Sequence, residues 1–140
     1  MKSPKSSRKS NFPPLLHLSY VLQHKAETVL ESEVGVGLSA ARIMSVLSQS
    51  AASSQRTIAM ELHQTEANVS RQLHNMKKQG LVNITNNKKD SRQRDVTLTT
   101  KGAKHYAQAE KLLKKQQSQF MKMLSAGEAQ TMEQAAQKLS

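Results

Sequence analysis

Between residues 65 and 94 the sequence sets out hydrogen-bonding groups at spacings that suit an anionic, base-paired partner. Over residues 66–79, Val69, Leu73 and Met76 recur at four and three and make one apolar helix face. Ala67, Arg71, His74 and Lys78 then fall on the opposite face, flanked by Asn68, Ser70 and Asn75. In a DNA major groove each type has a use. Ala67 fits against a thymine methyl, Asn68 can pair with adenine N6 and N7, and Arg71 can reach guanine O6 and N7 or a phosphate. Lys77 and Lys78 add charge where backbone contact is favoured, and Thr65 is a suitable N-cap. Alone, this face would equally be a solvated surface; the next segment decides between the two. Residues 81–85 and 95–99 alternate apolar and polar, which predicts a hairpin with Val82 and Ile84 facing Val96 and Leu98. Its tip carries Lys88, Lys89, Asp90, Arg92 and Arg94. Such a tip fits a narrow minor groove, whose negative potential attracts arginine.

Other chemistries find little support. Among five histidines, His17 and His24 are seven apart and His63, His74 and His105 are scattered. There is no cysteine and no H-x-x-x-H pair, so no metal or other cofactor is expected. Neither a phosphate-cradling glycine loop nor G-x-S-x-G occurs, and an enzyme is not expected. Glu27, Glu31 and Glu33 read as a charged surface near a helix end.

The elements that must hold the reading face are legible in outline. Ile58, Ala59 and Leu62 form the inner side of a short helix before the turn. Upstream, a helix begins after Gly37, with Ser39 as its expected cap and Ile43, Met44, Val46 and Leu47 buried; it fades in the polar segment 51–55. A first helix runs from Pro13 or Pro14 to about Ser32, with Leu15, Leu18, Leu22, Ala26 and Val29 as one stripe that Leu16 and Leu30 widen. After Gly102 a long helix reaches about Leu124, aligning Tyr106, Ala109, Leu112, Leu113, Phe120 and Met123. Ser125 and Glu128 form a capping-box signature for a last helix ending near Leu139. All five glycines are expected between periodic segments. The terminal helices are too thin to stand alone, and a second copy is the simplest cover for Leu15, Leu18, Leu22, Leu112, Leu113, Phe120 and Leu139.

The fold class expected is therefore mainly α with a small β-hairpin wing: a winged helix-turn-helix with N- and C-terminal dimerisation helices. Residues 1–12 form a basic flexible arm and 13–140 one domain. Within it, 38–102 make the DNA-binding part, and 13–32 and 103–139 the dimerisation helices. A net charge of +11, from 21 Lys and Arg against 10 Asp and Glu, points to a polyanion as partner. No apolar run approaches the roughly 20 residues of a spanning helix. The run 15–22 contains His17 and lacks a cleavage site, so a cytoplasmic, nucleoid-associated protein is expected.

At this point the chain resembles the MarR family of transcriptional regulators. Residues 90–102 (DSRQRDVTLTTKG) fit that family's wing motif, D-x-R-x-x-x-V-x-L-T-x-x-G. Ile58-Ala59-x-x-Leu62 and Asn68-Val69-Ser70-Arg71 fit its helix-turn-helix, and the resemblance covers about residues 13–139. It implies a homodimer on double-stranded DNA, reading a palindromic operator, with Arg92 in the minor groove and Asp90 holding Arg92 or Arg71. Gln64 departs from the usual aliphatic residue of the turn and is expected to loosen packing there. The family also allows a small-molecule effector, but Phe12, Tyr20, Tyr106 and Phe120 are few rings to line a crevice. The function expected is a sequence-specific regulator, a repressor in the first instance. A sequence-tolerant architectural DNA coater is the alternative, and a protein-interaction module a third.

Overall fold

Two prolines stand at the start of the first helix, since a ring that lacks an N–H costs nothing in a first helical turn. The computed structural model describes residues 11–140, so nearly all of the expected basic arm lies outside the described residues. Helix α1 (Pro14–Glu33) is followed by α2 (Leu38–Ser48), strand β1 (Ser53–Ser54), α3 (Gln55–Glu61), α4 (Glu66–Lys78), β2 (Val82–Asn86), β3 (Arg94–Leu98), α5 (Thr100–Met121) and α6 (Ala126–Leu139).

Helix α1 is half in and half out. Its second half buries Ala26 and Leu30, whereas Leu15 is 72% and Tyr20 67% exposed. The C-terminal part of the expected stripe is thus buried, with Leu30 innermost, whereas Leu15 and Leu16 at its start are left in the open. Leu30 meets Ala41 of α2 and Ala109 of α5 in a small cluster that ties the three helices together.

Helix α2 is capped from a distance. Its N-cap is Gly37, and the Leu38 N–H donates to Glu27 Oε2 at 2.6 Å. Ser39, the expected cap, sits inside the helix and donates its hydroxyl to Gln72 Oε1 instead. Glu27, read as part of a charged surface, therefore holds α1 to the start of α2, where a negative group is favoured.

The main core is built by Ile43, Met44 and Leu47 of α2, Ile58 and Ala59 of α3, Val69, Leu73 and Met76 of α4, and Leu81, Val82 and Val96 of the hairpin. The hairpin register is the one its alternation predicts: Val82 opposes Leu98 and Ile84 opposes Val96. A third strand was not expected. Ser53 and Ser54 pair antiparallel with Val96 and Asp95, giving the order β1-β3-β2. Two serines carry no apolar alternation, so sequence holds no signal for this strand.

Two glycines earn their place by geometry. Gly80 has φ +77° and closes α4; its N–H donates to Lys77 and that of Leu81 to Met76, the paired bonds of a Schellman ending. Gly102 corrects the expectation that glycines lie between segments, for it sits in the first turn of α5. A Cβ there would lie 2.1 Å from the Leu81 carbonyl oxygen, so the residue serves close approach and not helix breaking. Gly127 too lies inside a helix, α6, and nothing around it requires a glycine.

Candidate nucleic-acid interface

The turn between α3 and α4 is tight because His63 takes φ +53°, a left-handed conformation that non-glycine residues adopt at some cost. The Gln64 N–H then donates to the Ala59 carbonyl at 2.9 Å. Thr65 caps α4 as expected, its hydroxyl accepting the Asn68 N–H at 3.1 Å. With Val69, Leu73 and Met76 buried, the opposite side of α4 is fixed in space. Ala67, Arg71, His74, Asn75 and Lys78 are exposed there, and Asn68 and Ser70 are half-buried at its edge.

Gln64 does not loosen this junction. Its Oε1 accepts from Asn68 Nδ2 at 3.0 Å and from Gln72 Nε2 at 2.9 Å. Asn68 Oδ1 in turn accepts from Arg71 Nη2 at 2.8 Å. A polar side chain in the turn is tolerated because its carbonyl oxygen is doubly satisfied.

The far end of α4 is clamped to α5. Lys101 Nζ donates to the Gln79 carbonyl at 2.7 Å, and the Thr99 hydroxyl donates to that of Gly80 at 2.6 Å. Thr99 also accepts the Gly102 N–H at 2.9 Å and so caps α5.

The hairpin tip is an ordered turn. Asn87 Oδ1 accepts the N–H groups of Lys89 and Asp90 at 2.8 and 3.1 Å, and Asn87 Nδ2 donates to Asp95 Oδ2 at 3.0 Å. Asp90 Oδ1 accepts the Arg92 N–H at 3.0 Å. Asp90 thus holds Arg92, of the two arginines named for it, and does so through the backbone N–H. Lys88, Lys89, Arg92 and Arg94 are all exposed. Asn87 and Asp95 shape this tip and escaped the sequence reading, although an Asn two residues before an N–H donor is a recognisable turn signal.

The wing tip borders the starts of α3 and α4. A cavity of about 530 Å³ is lined by Gln55 and Arg56 at the start of α3, Glu66 at the start of α4, and Asp90, Arg92, Gln93 and Arg94 of the wing. Arg56 is a cation on this side that helical periodicity did not single out. Among the described residues the one ion pair is Lys114–Glu110 on α5, so no carboxylate pairs with the wing cations. The hydrogen bond with its partner holds the Glu110 carboxyl below its ordinary range and pushes Lys114 up.

The expected dimerisation residues gather on α1, α5 and α6. Leu18, Leu22, Leu112, Leu113 and Phe120 are half-buried, whereas Leu15 and Leu139 (80% exposed) face solvent. A groove of about 460 Å³ between the three helices is lined by Leu22, Leu113, Phe120, Met132 and Ala136 among others. Among the described residues no three His, Cys, Asp or Glu side chains are grouped to hold a metal ion. None of the described helices is long and apolar enough to cross a membrane.

Residues 34–93 match the sequence model of the MarR family. No curated protein matches the chain in sequence. Among solved structures, the chain is similar to a mutant of MarR from E. coli complexed with operator DNA, at 22% identity and a TM-score of 0.76, covering 96% of this chain and 99% of that one. It is similar to the S. aureus MepR–DNA complex at 22% identity and TM-score 0.74, covering 89% and 91%. It is also similar to YusO from Bacillus subtilis at 19% identity and TM-score 0.70, covering 89% and 88%. Residues 34–93, which hold the helix-turn-helix and most of the wing, thus match the MarR family model, and the fold is similar to that of MarR-type structures along nearly the whole chain.

Proposed function

We propose that this protein is a sequence-specific, double-stranded DNA-binding transcriptional regulator and not an enzyme, and that it acts as a homodimeric repressor on a palindromic operator. The observation that carries the reading is an exposed polar α4 face, with Ala67, Arg71, His74 and Lys78, followed directly by a wing whose Lys88, Lys89, Arg92 and Arg94 are all exposed, so that helix and hairpin can grip the same duplex. In this reading α4 enters the major groove and Arg92 the adjacent minor groove. Lys88, Lys89, Arg94 and Lys78 neutralise phosphates, which makes affinity fall steeply with salt. The apolar residues of α1, α5 and α6 meet those of a second copy, and the two α4 helices reach successive major grooves about one turn apart. Repression follows from occupying a promoter that polymerase needs. MarR of E. coli and MepR of S. aureus, solved with operator DNA and DNA, lend support by likeness of fold.

The test is selection of bound duplexes from a random-sequence pool at about 150 mM salt, a concentration at which non-specific contacts are weakened, using protein whose mass in solution is measured. The expected result is an enriched inverted repeat bound by dimeric protein. Retention without enrichment would instead favour a sequence-tolerant DNA coater, which the +11 charge would also serve. No retention would overturn DNA binding altogether.

A further inference from the structure

Resting on the regulator reading above, we infer that Arg71 is the base-reading residue of α4, and that Gln64 and Asn68 are positioning residues that aim it. The relay starts at Gln64, the last residue before the Thr65 cap, half-buried beneath the start of the helix. Its one side-chain oxygen accepts from both Asn68 Nδ2 and Gln72 Nε2. Gln72 is itself anchored, because its own oxygen accepts the Ser39 hydroxyl of α2. The inner end of the network is therefore fixed to the core-bearing helices, and the orientation of each amide is set by the donors around it.

The consequence falls on Asn68. To pair with adenine on two bonds, an asparagine must turn its oxygen and its NH2 outward together, toward N6 and N7. Here Nδ2 is aimed inward at Gln64, and Oδ1 is occupied by Arg71 Nη2 at 2.8 Å. Arg71 lies outside it, exposed, with one bond to Asn68 and the rest of its five N–H donors unspent. A guanidinium held by one charge-assisted bond keeps a fork that matches guanine O6 and N7, and loses less freedom on binding than a wandering side chain. Gln64 thus sets Asn68, and Asn68 sets Arg71.

The experiment uses the full chain and the duplex enriched from the pool. Affinities are measured for that duplex and for every single base-pair change, with wild type, Arg71→Ala, Asn68→Ala, Gln64→Leu and Gln64→Glu, each checked for an unchanged melting transition. Wild type should favour one G·C pair in each half-site by ~10-fold or more. Arg71→Ala should abolish that preference. Asn68→Ala and Gln64→Leu should flatten it at the same position, while Gln64→Glu, which keeps acceptor oxygens for Asn68 and Gln72, should retain it. Replacing the guanine by 7-deazaguanine should weaken wild type and leave Arg71→Ala unaffected. The relay is overturned if Asn68→Ala relaxes an A·T pair and spares the guanine, since Asn68 would then read directly. It is equally overturned if Arg71→Ala weakens every duplex alike and lowers the salt slope by about one, the behaviour of a phosphate contact. A wild type that enriches no sequence would remove the regulator reading and the relay together, a result distinct from either.

Discussion

At His63 the chain holds φ +53°, a conformation that costs a non-glycine residue about 1–2 kcal/mol. His63→Gly removes that strain while adding some freedom to the unfolded chain, so stability should rise by up to about 1 kcal/mol. Urea unfolding of the two proteins would show it, and a fall in midpoint would mean that the His63 side chain contributes more than its backbone costs. Arg92 lies at the other end of the reading surface and is exposed, its backbone held by Asp90. On the proposed function, Arg92→Ala should weaken operator binding by roughly tenfold at moderate salt without moving the unfolding transition. Unchanged affinity would take the wing out of the mechanism.

The helices are joined at their ends, so element-scale changes should act through junctions. Glu27 caps α2 across eleven residues, and a Cβ on Gly37 would lie 2.6 Å from its Oε1. Glu27→Ala and Gly37→Ala should each cost about 1 kcal/mol, as cap losses do. The double variant should cost little more than either, because both remove one interaction; full additivity would separate them. Gly102→Ala meets a harder obstacle, the Leu81 backbone at 2.1 Å, and should destabilise by at least about 1–3 kcal/mol. At α6 the bonds to Ser125 hold the Glu128 carboxyl below its ordinary range. A depressed carboxylate contributes stability above its unfolded pKa and loses it as pH falls through the folded one. Protection of the first-turn amides of α6, taken as the observed exchange rate against the intrinsic rate at each pH, should therefore fall as pH drops below the usual carboxylate range, and Glu128→Gln should remove that dependence.

For the molecule as a whole, the proposed assembly rests on the apolar residues left on α1, α5 and α6. Leu15, Tyr20, Met123 and Leu139 stay exposed in the single chain, and α6 buries no residue at all. If a second copy covers this surface, Leu113→Glu should give a monomer by sedimentation while the winged part keeps its fold. A dimer that survives would direct attention to other partners for these helices. DNA affinity should fall with the dimer, since two half-sites engaged together bind far better than one.

Short periods and local chemistry encode the part of this fold that is legible along the chain. The apolar face of α4, the Thr65 and Ser125 caps, and the register of the wing follow from spacings of three, four and two, and all are present in the fold. Tertiary structure alone decided the rest, because those features join residues that no period connects. The Glu27 cap spans eleven residues and the Ser39–Gln72 bond thirty-three. Strand β1 exists only because Val96 and Asp95 offer an open edge to two serines. Gly102 looks like a helix boundary until the Leu81 carbonyl is brought against it. Asn68 looks like a free base reader until Gln64 takes its NH2, and sequence contains no sign of which way an amide faces.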